Sequence, residues 1–439
     1  MDSALKKLET ADFLIYNLTV YTRITENDDD VETKVLEYLH YTLINTYDKQ
    51  DANFEAAARY YSDFCYFLYN TKFMGSLPDY LFDLILYHDN VFSRECAKNN
   101  FFKIPPHIKS AALGDLNAFY ALSLITAQDI KDALFERFPD KSEYIKLLPD
   151  YSSRHGVYSP QGCWGDNLLK IADFYREHGV GVYAKYKAFT FIRQGESFVL
   201  KPVLEPDDIR LADLKQYESQ RKKIVENTLA FLEGKPCNNT LLYGDRGTGK
   251  SSTVKALLNE YETRGLRIIQ VDKSNLCGLG ELIEQVADIP LKFIIFIDDL
   301  TFQDNDDNFG MLKAVLEGSL VKRPKNIVIY ATTNRRHLIK ETFTAREGDE
   351  VHKADTIDEN LSLSDRFGLT LTFLMPTKDN FLAIVKAIAD DRNLDVDVET
   401  LFQGAERFAL NKGARTPRLA RQYVDHIQAR SELGLPLLS

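Results

Sequence analysis

The sequence predicts an α/β protein: a parallel sheet covered by helices, closed by a C-terminal helical lid and preceded by a mostly α-helical domain. Three observations predict this. The first is an uninterrupted Gly-x-x-x-x-Gly-Lys-Ser run, Gly244 to Ser251, entered from the apolar Leu241-Leu242-Tyr243 and left through the helical pattern Thr253-Val254-Lys255-Ala256-Leu257-Leu258. The second is a wholly apolar stretch, Phe293-Ile294-Ile295-Phe296-Ile297, that ends in Asp298-Asp299. The third is a change of texture: helical periodicity before about residue 185, alternating strand and helix patterns after about residue 205, and helices again from Thr377.

Taken in order, the chain divides into a helical N-terminal domain (1–184), a β-hairpin or linker (185–204), a P-loop domain (205–376) and a helical lid (377–439). In the first, apolar residues recur at three-to-four spacing in Val31, Val35, Leu36, Leu39, Leu43 and in Phe54, Ala57, Ala58, Tyr61, Cys65, Leu68. Its aromatics, Tyr60, Tyr61, Phe64, Tyr66, Phe67 and Tyr69, read first as helix packing and second as a face for a partner. Arg154 to Gly165 breaks into a Gly/Pro loop and reads as an interdomain connection. Ala188–Ile192 and Ser197–Leu200, around Arg193-Gln194-Gly195-Glu196, read as a hairpin.

The expected order continues with a helix from Leu211 to Glu233, a strand at Leu241, a helix from Ser251, a strand Arg267–Val271 and a helix Gly280–Ala287. A strand Phe293–Ile297, a helix Gly310–Leu320 and strands Ile327–Thr332 and Leu369–Phe373 follow. Helices Thr377–Ala389, Val398–Leu410 and Pro417 to about Arg430 complete the chain.

Composition bounds the function. The 439 residues are 44% hydrophobic and 27% charged, which suits two or three globular domains with sizeable cores. A net charge of −11 weighs against non-specific attraction to nucleic acid or to an anionic membrane. Five scattered cysteines with no Cys-x-x-Cys point to free thiols in a reducing compartment, so a cytoplasmic location is expected. No leader-like N-terminus and no stretch near the ~18 apolar residues of a membrane span are evident.

The loop chemistry points to a nucleoside triphosphate, with ATP and Mg²⁺ as the expected ligands. Gly244, Gly247 and Gly249 let the backbone curl so that successive N–H groups converge on phosphate oxygens, with Asp245, Arg246 and Thr248 between them. Lys250 supplies a mobile cation. Ser251 offers a hydroxyl to Mg²⁺, and Ser252 continues the helix whose positive end faces the anion. Asp298, at the strand end, is the candidate second metal contact, through water, and Asp299 the group that polarises the attacking water. One strand later, Asn334 is positioned to orient that water. Arg366, before the last strand, is a candidate to reach a neighbouring subunit's phosphate, and Arg415 and Arg418 both open a helix that can fold over the nucleotide.

With these pieces assembled, the region from about Glu205 onward resembles the AAA+ ATPases. The resemblance implies a Walker A motif at 244–251, a Walker B motif ending Asp298-Asp299, Asn334 as sensor 1, Arg366 as arginine finger and Arg415 or Arg418 as sensor 2. Within that superfamily the chain is most similar to the DUF815 group, on Ile209-Arg210-Leu211 with Tyr217-Glu218, Asn238 to Ser252, and Phe296 to Leu300. Asp-Asp in the Walker B position fits that group, although most of the superfamily carries Asp-Glu there.

The implied function is a Mg²⁺-dependent hydrolase of ATP that forms a homo-oligomeric ring or arc and remodels a protein partner recruited by the helical domain. The alternatives are a slow nucleotide-operated switch or scaffold, and a nucleic-acid loader. The loader is disfavoured by acidity but suggested by Lys322-Arg323-Pro324-Lys325 and Arg335-Arg336. Asp304, Asp306 and Asp307 lack the downstream Glu of a calcium loop, and His337 reads as part of a basic turn rather than a ligand.

Overall fold

The computed structural model describes residues 3–21, 31–156, 158–301, 307–317, 324–334 and 366–436. The chain forms two compact units, Met1–Lys185 and Tyr186–Ser439.

The first unit is built from helices, among them Ala4–Tyr16, Val31–Tyr47, Phe54–Tyr69, Leu77–Tyr87, Pro106–Ser123, Ala127–Arg137 and Leu168–His178. Their starts are set by side chains that accept otherwise orphaned N–H groups: Asn53 from Ala56, Asn90 from Ser93 and Thr126 from Asp129. The stripes at three-to-four spacing meet in one core that includes Leu36, Leu39, Leu43, Tyr61, Phe64 and Leu68. The aromatic cluster divides: Tyr61 and Phe64 are buried, whereas Tyr66 and Tyr69 are exposed.

The Gly/Pro loop expected to connect the domains belongs instead to this unit. Trp164 is fully buried in its core, the Trp164 indole donates to Pro160 O at 3.0 Å, and the Ser159 amide donates to Asp79 Oδ1 at 2.8 Å. Burying a tryptophan outweighs the loop-forming tendency of the surrounding Gly and Pro. The boundary between units falls after Lys185.

The second unit carries a seven-stranded sheet of β1 (Ala188–Gln194), β2 (Ser197–Pro202), β3 (Thr240–Gly244), β4 (Leu266–Val271), β5 (Lys292–Ile297), β6 (Ile327–Thr333) and β7 (Leu369–Phe373), in the order β2-β1-β4-β5-β6-β3-β7. β2 runs antiparallel to β1, and every other pairing is parallel. The hairpin expected as an intervening segment is therefore the sheet's outer edge, because Ala188 to Phe191 pair with Ile268 to Val271. β5 and β6 are buried almost end to end, as strands covered on both faces require.

The long helix expected from Leu211 is interrupted. A short turn at Leu211–Asp213 is followed by Gln216 and Tyr217 in the left-handed region (φ 68° and 61°), and the helix runs only from Glu218 to Leu232. The lid consists of helices Lys378–Asp391, Val398–Lys412 and Pro417–Glu432 around Phe381, Ile384, Val385, Leu401, Ala405, Ala420 and Val424. Residues 322–323, 335–337, 304 and 306, which carry the basic and acidic loop readings, lie outside the described residues, as does Asp365 beside Arg366. Among the described residues, no helix is long and apolar enough to cross a membrane.

The chain's single tryptophan makes the first unit measurable on its own, since Trp164 emission reports that core. Phe119 is fully buried there with its ring edge-on to Tyr21 at 5.9 Å. Phe119→Ala is expected to cost ~3–5 kcal/mol, read as a lower denaturant midpoint for the fluorescence red shift at an unchanged slope. An unmoved midpoint would contradict this packing.

Candidate functional site

A cleft of about 860 Å³ opens at the carboxyl ends of β3, β5 and β6, bounded by the loop after β3 and by the lid. In an open parallel sheet this is the edge where backbone and helix N-termini are free to meet a ligand.

The loop is held open by its glycines and by its neighbours. Gly244 has φ 140°, and a Cβ there would lie 2.0 Å from Phe373 O, so β7 can approach only a glycine. The Asp245 amide donates to Phe373 O at 2.9 Å, and the Asp245 carboxylate accepts the Met375 amide at 2.6 Å. Gly244 and Asp245 thus fasten the loop to β7, while Arg246 to Ser252 line the cleft itself. Gly247 and Gly249 are left-handed (φ 76° and 94°), with no atom within 4 Å of a Cβ built on Gly249. That leaves the amino end of helix Lys250–Tyr261 open to an anion.

Lys250 is 6% exposed, and its ammonium donates to Gly244 O (2.9 Å), Asp245 O (2.7 Å) and Asn334 Oδ1 (3.0 Å). Burial pulls its pKa below the ordinary lysine value, against the pull of Asp245, Asp299 and Asp298.

The acidic pair is tied to the loop. Oδ1 of Asp298 accepts from Ser251 Oγ (2.6 Å), Thr332 Oγ1 (2.5 Å) and the Asp299 amide (3.2 Å). Asp299 is left-handed (φ 51°), and its Oδ1 accepts the Asn334 amide at 2.6 Å. Lys250, Asn334, Asp299, Asp298 and Ser251 therefore form one connected hydrogen-bonded chain across three elements. The serine hydroxyl beside a carboxylate suits a hard, largely hydrated divalent cation such as Mg²⁺.

The arginines separate. Arg418 lines the cleft and its amide donates to Gly247 O at 3.2 Å. Arg415 instead forks onto Glu406 (3.1 and 3.2 Å), which also meets Lys378 at 3.3 Å. That pairing holds the Glu406 carboxyl below its ordinary range. Of the two alternatives left open by spacing, Arg418 faces the cleft. Arg366 is half-buried and lies in the turn before β7. β7 starts level with Thr240, at the amino end of β3, so a five-residue strand separates Arg366 from the phosphate loop. At ~3.3 Å per residue that is about 16 Å, beyond the span of an arginine side chain.

Several cleft residues were given no role at the site from the sequence. Ile209, Gln216 and Tyr217 come from the lead-in, and the Tyr217 hydroxyl donates to Leu374 O at 2.6 Å. Burial raises that phenol to about 12. Ile384 and Ile388 come from the lid, and Thr332 from β6. Arg421 and Asp425 follow Arg418 at i+3 and i+7, a helical-face spacing that could have been found.

The sequence profile of the family described as "Protein of unknown function (DUF815)" matches residues 184–431, over half of the chain. The chain is 37% identical over 79 residues to the replication factor C large subunit of Staphylothermus marinus, and this match spans only 18% of either protein. Among solved structures, the Thermotoga maritima RuvB Holliday junction branch migration motor aligns at 15% identity and TM-score 0.37, over 52% of this chain and 67% of that one. The Aeropyrum pernix ORC1 protein, solved in complex with DNA, aligns at 16% identity and TM-score 0.37, over 51% and 62%.

The depressed Lys250 pKa has a measurable sign. A triphosphate against the ammonium stabilises the charged form and raises its pKa, so binding takes up protons between the free and bound values. Triphosphate binding is expected to show net proton uptake that grows as pH rises toward the lowered Lys250 value, read by calorimetry in buffers of different ionisation enthalpy. Uptake that does not change with pH would mean a fully charged lysine in the free protein.

Proposed function

The chain belongs to the DUF815 family, and we propose that it is a Mg²⁺-dependent ATPase of the AAA+ type that acts as an oligomer and remodels a protein partner. The observation that carries the ATPase reading is the hydrogen-bonded chain from Lys250 through Asn334 and Asp299 to Asp298 and Ser251. It sets a cation, an amide, two carboxylates and a hydroxyl around the open end of one helix.

In this reading the N–H groups from Gly247 to Ser251 and the Lys250 ammonium take the β- and γ-phosphates. Ser251 and, through water, Asp298 hold Mg²⁺, which when bound neutralises charge on those phosphate oxygens. Asp299 accepts the proton of the attacking water, and Asn334 orients that water. Arg418 brings positive charge from the lid, with Arg421 one turn behind. Ile209, Ile384 and Ile388 supply an apolar wall suited to the base. Arg366 acts on the nucleotide of an adjacent subunit, the role its distance from its own loop supports. Partner remodelling rests on the helical first unit and on the acidic net charge of −11, which opposes a nucleic-acid role.

Lys250→Ala should abolish measurable ATP binding, Asp298→Asn should weaken the Mg²⁺ dependence of binding, and Asp299→Asn should bind ATP without turning it over. Calorimetry paired with phosphate release checks all three. Tight ATP binding by the Lys250 variant, or parental turnover by the Asp299 variant, would remove the basis of this reading.

Arg366 tests the oligomer. Turnover per subunit should rise with protein concentration, and Arg366→Ala should flatten that rise while sparing ATP affinity, since arginines acting in trans contribute ~10³–10⁵ in rate. Mixing Arg366→Ala with Asp299→Asn subunits should restore activity that neither has alone. Concentration-independent parental turnover with no recovery on mixing would favour a monomeric nucleotide-operated switch.

A further inference from the structure

Successive residues of a strand project to opposite faces of a sheet. Asp298 uses the face toward the phosphate-loop helix, where its Oδ1 meets Ser251 Oγ at 2.6 Å. A strand that simply continued would send Asp299 to the other face. The left-handed backbone of Asp299, φ 51°, breaks the alternation at that residue, and both carboxylates line the cleft.

One hydroxyl holds this turn from both sides. Thr332 Oγ1 accepts the Asp299 amide at 3.0 Å and donates its own proton to Asp298 Oδ1 at 2.5 Å. The backbone on either side is already paired, since Ile297 lies opposite Ala331 and the Leu300 amide donates to Thr332 O at 2.7 Å. The Asp299 amide is thus left for side-chain oxygens to satisfy. Thr332 is 2% exposed, so water does not readily replace it. The turn places Asp299 Oδ1 2.6 Å from Asn334 Nδ2, which donates to it.

We infer that Thr332 is a positioning residue for hydrolysis: its hydroxyl fixes the left-handed turn that brings Asp298 and Asp299 into the same cleft. The inference rests on the roles given to those carboxylates under Proposed function. Thr332 acts through the two carboxylates it bonds, so its loss should lower the rate of the chemical step and spare nucleotide binding.

The test compares the parent, Thr332→Val, Thr332→Ala, Thr332→Ser and Asp299→Asn in steady-state ATP hydrolysis with Mg²⁺, in ATP affinity by calorimetry and in thermal melting. Thr332→Val removes both hydrogen bonds at nearly constant shape and should lower kcat roughly 10- to 100-fold, the scale of one hydrogen bond to a charged group, with ATP affinity changed by less than about threefold. Thr332→Ser should restore most of kcat. If the valine variant does not fold, the alanine and serine variants decide the matter, because they differ only in the hydroxyl. Parental kcat in Thr332→Val or Thr332→Ala would overturn the inference alone, provided Asp299→Asn is inactive. So would a serine variant as slow as alanine, or a loss of kcat matched by an equal loss of affinity. A parent that binds ATP but never hydrolyses it would overturn both this inference and the hydrolytic reading.

Discussion

Oδ1 of Asp298 is the point at which the elements around the cleft are tied together. It receives the Ser251 hydroxyl from the phosphate-loop helix, the Thr332 hydroxyl from β6 and the amide of its own successor. Each bond to a charged acceptor contributes on the order of 1.5–3 kcal/mol, and a donor stranded in so enclosed a place costs a comparable amount. The carboxylate therefore constrains where the helix begins, how β5 ends and which way β6 presents its side chains. All three donors converge on one oxygen, and the second oxygen carries none of these bonds.

A second constraint fixes the loop from below. The contact between Gly244 and Phe373 leaves no room for a Cβ, and the neighbouring amide bond from Asp245 to Phe373 fastens the loop to β7. From above, the Arg418 amide meets Gly247 O, and the Lys215 ammonium meets the Asp391 carboxylate of the lid at 2.6 Å. The loop is thus held between the sheet and the lid.

The first unit relies on similar polar ties. The Asp115 carboxylate collects the amides of Thr19, Val20 and Tyr21, and Asp12 is shared between His40 Nδ1 at 2.5 Å and the Tyr47 hydroxyl at 2.7 Å. Buried carboxylates of this kind need several donors at once, and here those donors come from a chain turn or from a neighbouring helix. They join segments far apart in sequence within an otherwise apolar helical core.

Much of the cleft was legible in the sequence because its chemistry is local. The glycine pattern, Lys250, Ser251 and the Asp298-Asp299 pair follow from loop and strand-end rules that operate within a few residues, and short apolar runs marked the buried β5 and β6. Tertiary packing decided the rest. Trp164 drew a Gly/Pro loop into the first core, the hairpin found its partner in β4, and Glu406 engaged Arg415 so that Arg418 faces the cleft. The left-handed Asp299 and the dual role of the Thr332 hydroxyl were equally invisible, since each depends on two strands lying side by side. Residue types and short-range spacing determine which groups are available for chemistry. Which of them meet depends on contacts between residues distant in the chain, where burial and hydrogen-bond satisfaction override local preference.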